Sequence, residues 1–420
     1  LVGQLHSNEA VVLGDVRLSE WFHDQFSARS RWAVVGLFVD GAPGGRWERV
    51  EVQTTGLETV LGNAIAATWW PANEDVEPQR FSADVNRAAC FESLARGVSV
   101  TARYEETFSV GDRYGFHLSN FGRVTLIAES PLTVDEWIRS WIDPLIGLMT
   151  LATGEREEIN RVTLVTPHPR RAEEPRAYGD IRGELWGGGI HQRDQPAALR
   201  TRADGSLLIP LFTLDNAPPL AELLQTWRTT LAEQSATSLY RLAIDPTLPI
   251  QVRFLLCAQA LEALDTTARV KKEEAEDTSH AKRRAAIVKA VKAVSNEHLD
   301  TSTKRFIHKH LARQPFRSLA QRLLRHLAQV PEHDARTDAW VKQTEPLAAE
   351  LASLRRPSHP LHERLASTRN ALSHGSVVSA EALQPAVRIL ESLLRGQLLI
   401  RLGLDERQLR TAFDRMAAPR

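Results

Sequence analysis

The side chains best suited to chemistry lie together late in the chain, in Ser367-Thr368-Arg369-Asn370-Ala371-Leu372-Ser373-His374-Gly375. Histidine titrates near neutral pH, so His374 can give or take a proton in a reaction. Arg369 carries a permanent, planar charge that matches phosphoryl oxygens and can stabilise charge developing on them. Asn370 can position His374 or hydrogen-bond a phosphate oxygen. Arg369, His374 and Asn370 are therefore the catalytic candidates. The spacing alone is a weak signal, because Arg305 and His310 repeat it inside a basic stretch. Context separates the two: Arg369 is followed by a polar Asn370, and His374 by Gly375. On a helix, Asn370 and His374 are four residues apart and share a face, while Arg369 points about 100° away and reaches the same cleft with its long stem. Gly375 reads as the residue just past the helix end.

These residues need a scaffold, and the second half of the chain supplies one. A helix is predicted from Pro360 to His374, with Leu361, Leu365, Thr368 and Leu372 on its buried face. Leu383, Val387, Leu390, Leu394 and Leu398 mark the next helix, Glu381 to Leu402, which Gly403 closes. Upstream, Leu220, Leu223, Leu224, Trp227 and Leu231 open the helical period, and Asp245-Pro246 ends it. Pro249 then starts a helix that contains Glu262. A carboxylate in that apolar setting either has an Arg or Lys partner or lies on the wet face. From Arg269 to Arg325 there are 15 Lys or Arg against 6 Asp or Glu. Lys282, Arg283, Arg284, Lys304, Arg305 and Lys309 lie in this stretch, which suits nucleic-acid phosphates or is a solvated helix face. Nine of the 14 histidines lie between His280 and His374, but their spacings match no usual metal-ligand pattern, and no metal site is expected.

The first half has the texture of strands. Trp32 to Val39, Arg46 to Gln53 and Val98 to Tyr104 are short β-branched, aromatic or alternating runs, broken by turns such as Asp40 to Gly45. A helix interrupts at Thr133 to Ala152, with a capping-box pair at Thr133 and Glu136 and a buried stripe of Trp137, Trp141, Leu145 and Leu148. Pro167 to Pro196, with its Trp186-Gly187-Gly188-Gly189 run, reads as a loop, and Ser206 to Phe212 as a strand. The domain boundary is placed at Asn216-Ala217-Pro218-Pro219. This gives a β-rich domain over 1–216 and an α-helical domain over 217–420, an α+β chain.

The bulk figures narrow the class. The 420 residues hold 52 Lys and Arg and 52 Asp and Glu, so any nucleic-acid affinity must come from local charge. Cys90 and Cys257 both sit in apolar runs and read as buried thiols, which fits a reducing compartment. No signal peptide or membrane span is visible, so a cytoplasmic protein without membrane contact is expected. Leu1 in place of Met suggests a truncated start.

Arg369-Asn370-Ala371-Leu372-Ser373-His374-Gly375 resembles the Arg-polar-x3-His signature of HEPN ribonucleases. Phe254 to Glu262 and the Leu-rich helix ending at Gly403 are similar to the ApeA-like branch, and Ser130 to Leu151 with Ile159 to Leu164 resembles the ApeA N-terminal domain. The resemblance implies a β-rich sensing or regulatory domain followed by an all-α HEPN bundle that pairs with a second copy. Arg369 and His374 of both copies would line one composite cleft. It implies a role in abortive anti-phage defence, with a phage-derived trigger and RNA as substrate. RNA carries its own nucleophile: once its proton is taken, the 2′-OH attacks the adjacent phosphorus, leaving a 2′,3′-cyclic phosphate and a 5′-OH. No metal or cofactor is required. On this reading Glu262 holds Arg369, and the six basic residues grip the RNA backbone. The competing reading is a catalytically inactive HEPN module that dimerises or binds nucleic acid. A DNA-binding regulator ranks lower, for want of a recognition-helix pattern.

Overall fold

The computed structural model describes residues 2–4, 9–22, 25–36, 45–57, 65–68, 82–85, 91–95, 97–110, 116–167, 180–187, 219–231, 235–265, 271–294, 300–310, 318–356 and 360–417. Outside these residues lie the expected strand Ser206 to Phe212, the 216/217 boundary, Cys90, the turn from Asp40 up to Gly45 and the last three residues of the expected strand Trp32 to Val39. By compactness the chain forms two units, Leu1–Asp245 with Leu398–Arg420, and Pro246–Gln397.

The first unit is built on an antiparallel sheet. Its strands are β1 (Val2–Gln4), β2 (Ala10–Phe22), β3 (Gln25–Gly36), β4 (Arg46–Thr54), β7 (Phe91–Ala95), β8 (Val98–Val110), β9 (Phe116–Thr133), β10 (Ile159–Pro167) and β11 (Asp180–Gly187). Their order is β1-β2-β3-β11-β10-β4-β9-β8-β7, while β5 (Ile65–Thr68) and β6 (Ser82–Val85) form a separate hairpin. Alternation sets the two faces. Val50, Val52, Val124, Leu126, Val162, Leu164 and Leu185 are wholly buried on one of them. The other face carries a charge network: buried Glu51 is approached by Arg123 at 2.7 Å, Arg49 at 3.3 Å and Arg182 at 3.7 Å.

The helical segment after β9 follows its sequence signals. The Thr133 hydroxyl accepts from the Glu136 N–H, and the Glu136 carboxylate accepts from the Thr133 N–H at 2.8 Å. Helix α1 (Val134–Trp137) runs through a π turn, Ile138–Ile142, into α2 (Asp143–Thr153). Trp137, Trp141, Leu145 and Leu148 are all buried, and the Trp137 indole donates to the Trp47 carbonyl at 3.0 Å. Next come α3 (Leu220–Thr226), a second π turn at Trp227–Leu231, and α4 (Ser235–Ala243). The Trp227 indole lies so close to Gly147 that a Cβ there would come within 2.7 Å of it.

One expectation needs correcting. Within the stretch read as a loop, Pro167 to Pro196, residues Asp180–Gly187 form strand β11, paired to β10 on one side and β3 on the other. Ile181 and Leu185 point into the core. Eight residues that include Gly183 and Gly187 have weak strand propensity, and two flanking strands supply the pairing that propensity lacks.

The second unit is helical. It holds α5 (Ile250–Asp265), α6 (Lys271–Ala293), α7 (Thr301–His310), α8 (Leu319–Ala328), α9 (His333–Gln343), α10 (Glu345–Ser353), α11 (Leu361–Ser373) and most of α12 (Ala380–Arg401). The last helix of the chain is α13 (Glu406–Ala417). Leu361, Leu365 and Thr368 of α11 are buried, as are Leu383, Val387, Leu390 and Leu394 of α12. Arg253 of α5 and Glu391 of α12 form an ion pair at 2.6 Å. Arg364 is fully buried in α11, where its guanidinium donates to the Val341 carbonyl at 2.9 Å and the Thr344 hydroxyl at 2.6 Å. Burial lowers its pKa, and Glu345 opposes that shift. Cys257 is a free, buried thiol whose pKa burial drives well above the ordinary value. No described helix is long and apolar enough to cross a membrane.

Candidate active site

Helix α11 positions the candidate residues. Pro360 stands at its start and His374 at its C-cap. Past the end, Gly375 adopts φ +77°, its N–H bonds the Leu372 carbonyl at 3.1 Å, and the Ser376 N–H reaches back to the Ala371 carbonyl at 2.9 Å. This pair of bonds is a Schellman cap, which needs a left-handed residue and so favours glycine. The His374 N–H is shared between the Asn370 and Ala371 carbonyls. Its side chain is therefore presented at a defined, solvent-exposed helix end.

Arg369 is fixed from another helix. Its Nη2 lies 3.7 Å from Oε2 of Glu262 on α5, with both side chains about one-third exposed (32% and 27%). Its Nη1 makes a long hydrogen bond to Asn370 Oδ1 at 3.5 Å. Glu262 thus has an arginine partner 107 residues away in sequence, as a carboxylate in a mostly apolar helix requires.

Glu262 is itself held by α8. It lies in the last turn of α5, where carbonyls run short of intrahelical N–H donors. The Arg322 guanidinium donates to the Glu262 carbonyl at 3.1 Å. One turn on, buried His326 sits 3.1 Å from the Leu261 carbonyl through Nε2, the nitrogen that carries the proton in that contact. Arg322 and His326 were missed as site-building residues. Their i,i+4 spacing on one helix is visible in the sequence, but nothing there says which carbonyls they meet. Arg322 keeps positive charge beside an acidic group at a helix C-terminus, which offsets the unfavourable dipole there.

A cleft of about 660 Å3 opens beside this cluster. Among the described residues Glu262, Arg322, Glu363, Ser367, Arg369 and Asn370 line it. His374 does not. The cleft follows α11 from Arg369 back toward its N-terminus, whereas His374 lies at the other end of the helix. Three of the four candidates are therefore gathered, and the fourth stands one turn beyond.

The six basic candidates lie elsewhere, on α6 and α7. Lys282, Arg283 and Arg305 are exposed, and Arg284 and Lys304 are half-buried. Lys304 also donates to the Val294 carbonyl. Lys309 belongs to α7, and its side chain is outside the described residues. None of the five whose side chains are described lines the cleft at Arg369. Described residues 281–294 of this hairpin are all exposed or half-buried, including Ile287 and Val294.

The class of protein is now defined: a β-rich, antiparallel-sheet region followed by a helical bundle that presents an arginine and a histidine at the end of one helix. Residues 255–408, from within α5 to within α13, match the family described as Apea-like HEPN, and this segment is an Apea-like HEPN domain. No curated protein and no solved structure matches the chain.

Proposed function

We propose that the protein is a metal-independent endoribonuclease acting in abortive anti-phage defence. The observation that carries this reading is the anchored Arg369 on α11, paired to Glu262 at 3.7 Å and followed by His374 at the helix cap, inside an Apea-like HEPN domain. HEPN domains of this kind commonly cleave RNA. Arg369 stabilises charge on the phosphoryl oxygens, and His374 moves a proton to or from the 2′-OH or the leaving 5′-oxygen. Asn370 positions the imidazole or the phosphate. Lys282, Arg283, Arg284, Lys304, Arg305 and Lys309 hold the RNA backbone away from the reacting bond.

The exposed position of His374 outside the cleft supports a site completed by a second copy, in which Arg369 and His374 of both chains face one phosphate. The β-rich domain senses a phage-derived trigger, and the protein works in the cytoplasm. The test is purified protein with EDTA and total RNA, with and without lysate of phage-infected cells. Wild type yields fragments ending in 2′,3′-cyclic phosphate, and Arg369→Ala and His374→Ala yield none. Undiminished cleavage by His374→Ala refutes the assignment. The same exposure of His374 also favours a second reading, an inactive module that only dimerises or binds nucleic acid. In that case no condition gives cleavage, and Arg369→Ala leaves phage protection unchanged.

A further inference from the structure

We infer that Arg322 binds a second RNA phosphate, the one flanking the scissile phosphate, so that the cleft is a backbone subsite for single-stranded RNA. The inference rests on the ribonuclease reading above and deepens it. Arg322 and Arg369 come from different helices, α8 and α11, and both are tied to Glu262. Arg322 takes its main-chain carbonyl at 3.1 Å, and Arg369 faces its carboxylate at 3.7 Å. One residue thereby sets the separation of the two guanidiniums. Both line the same cleft, and they are the only basic residues among its described lining.

Direction comes from α11. His374 stands beyond Arg369 toward the helix C-terminus, while the cleft extends from Arg369 the opposite way, past Ser367 toward Glu363. A strand whose reacting phosphate lies between Arg369 and His374 must continue into the cleft, where Arg322 is the next cation. The volume of about 660 Å3 lies within the range that holds a nucleotide-sized group. Glu262 and Glu363 balance the two arginines, so the cleft is not a general anion trap; it rewards a ligand that places phosphates at both guanidiniums.

The test uses the full-length protein and a short RNA blocked by a 2′-O-methyl group at the cleaved position, with each phosphate replaced in turn by an uncharged methylphosphonate. Wild type is expected to lose affinity at two adjacent positions. In Arg322→Gln the flanking replacement costs nothing further, the scissile one still does, and the slope of log K against log salt falls by about 0.7, one single-strand phosphate contact. Arg322→Lys restores the slope. A single sensitive position in wild type overturns the proposal, as does full sensitivity at both positions in Arg322→Gln. The wild-type scan decides the matter even where Arg322→Gln melts early. Cleavage of unblocked RNA that depends on His374, together with a one-position scan, removes the subsite and leaves the nuclease standing. Absence of any RNA binding or cleavage removes both.

Discussion

Neutralising Glu262 tests the logic of the site most directly. Glu262→Gln keeps the shape of the side chain, and the carbonyl that Arg322 meets is main chain and is retained. Only the charge facing Arg369 is lost. At 3.7 Å the bare Coulomb attraction is about 4 kcal/mol for an effective dielectric near 20. Both side chains are about one-third exposed, and the contact is too long for a strong charge-assisted hydrogen bond, so solvent and side-chain entropy reduce it to about 1 kcal/mol. The assay is a double-mutant cycle over wild type, Glu262→Gln, Arg369→Ala and the pair, followed by thermal unfolding, with RNA cleavage compared between wild type and Glu262→Gln. Glu262→Gln alone is expected to lower kcat/KM about 10-fold, because an unheld guanidinium samples unproductive positions, and to lower stability by about 1 kcal/mol. In the Arg369→Ala background, where cleavage is already lost, it leaves stability unchanged. A coupling energy of zero in thermal unfolding, or unchanged cleavage by Glu262→Gln, refutes the claim that Glu262 acts through Arg369.

Three further outcomes follow from the same geometry. Gly375→Ala forces an alanine to φ +77° where nothing crowds its Cβ, so the cost is backbone strain of about 1 kcal/mol; Gly375→Asn costs less, and thermal melts rank them. Arg364→Ala leaves a cavity in the helical bundle, removes the charge-assisted bonds to the Val341 carbonyl and the Thr344 hydroxyl, and costs about 3–4 kcal/mol, seen as loss of folded protein or a markedly lowered melting temperature. Glu136 has its pKa lowered first by the Thr133 N–H and then by the Thr133 hydroxyl, so its contribution to stability is present above the ordinary carboxylate value of 4.5 and is lost as pH falls through the depressed folded value. Glu136→Gln removes that part of the acid-side decline, and a pH series of melting temperatures against wild type measures it.

Much of the candidate site was legible because its determinants are local. The cap at Gly375, the helix from Pro360, the Leu361–Leu365–Thr368–Leu372 stripe and the Thr133–Glu136 box each depend on residues within a few positions of one another, and all four stand in the structure, with Leu372 half-buried and the rest of its stripe buried. The same local pattern identified the Arg369 and His374 spacing without saying where either side chain goes. The short strand Asp180–Gly187 escaped notice because its pairing, not its composition, makes it a strand. Buried Arg364 reads as an ordinary surface cation until Val341 and Thr344 are brought against it.

Sequence alone thus determined the two kinds of architecture, the helix that carries Arg369, Asn370 and His374, and the point where that helix stops, since propensity, capping and apolar period act over one or two turns. Glu262 was already named as the partner of Arg369; tertiary structure alone decided that it stands 3.7 Å away, that Arg322 and His326 meet the Glu262 and Leu261 carbonyls of α5, and that the cleft extends away from His374. Those contacts join groups 60 to 107 residues apart, and only the packing of α5, α8 and α11 brings their charges and carbonyls within reach.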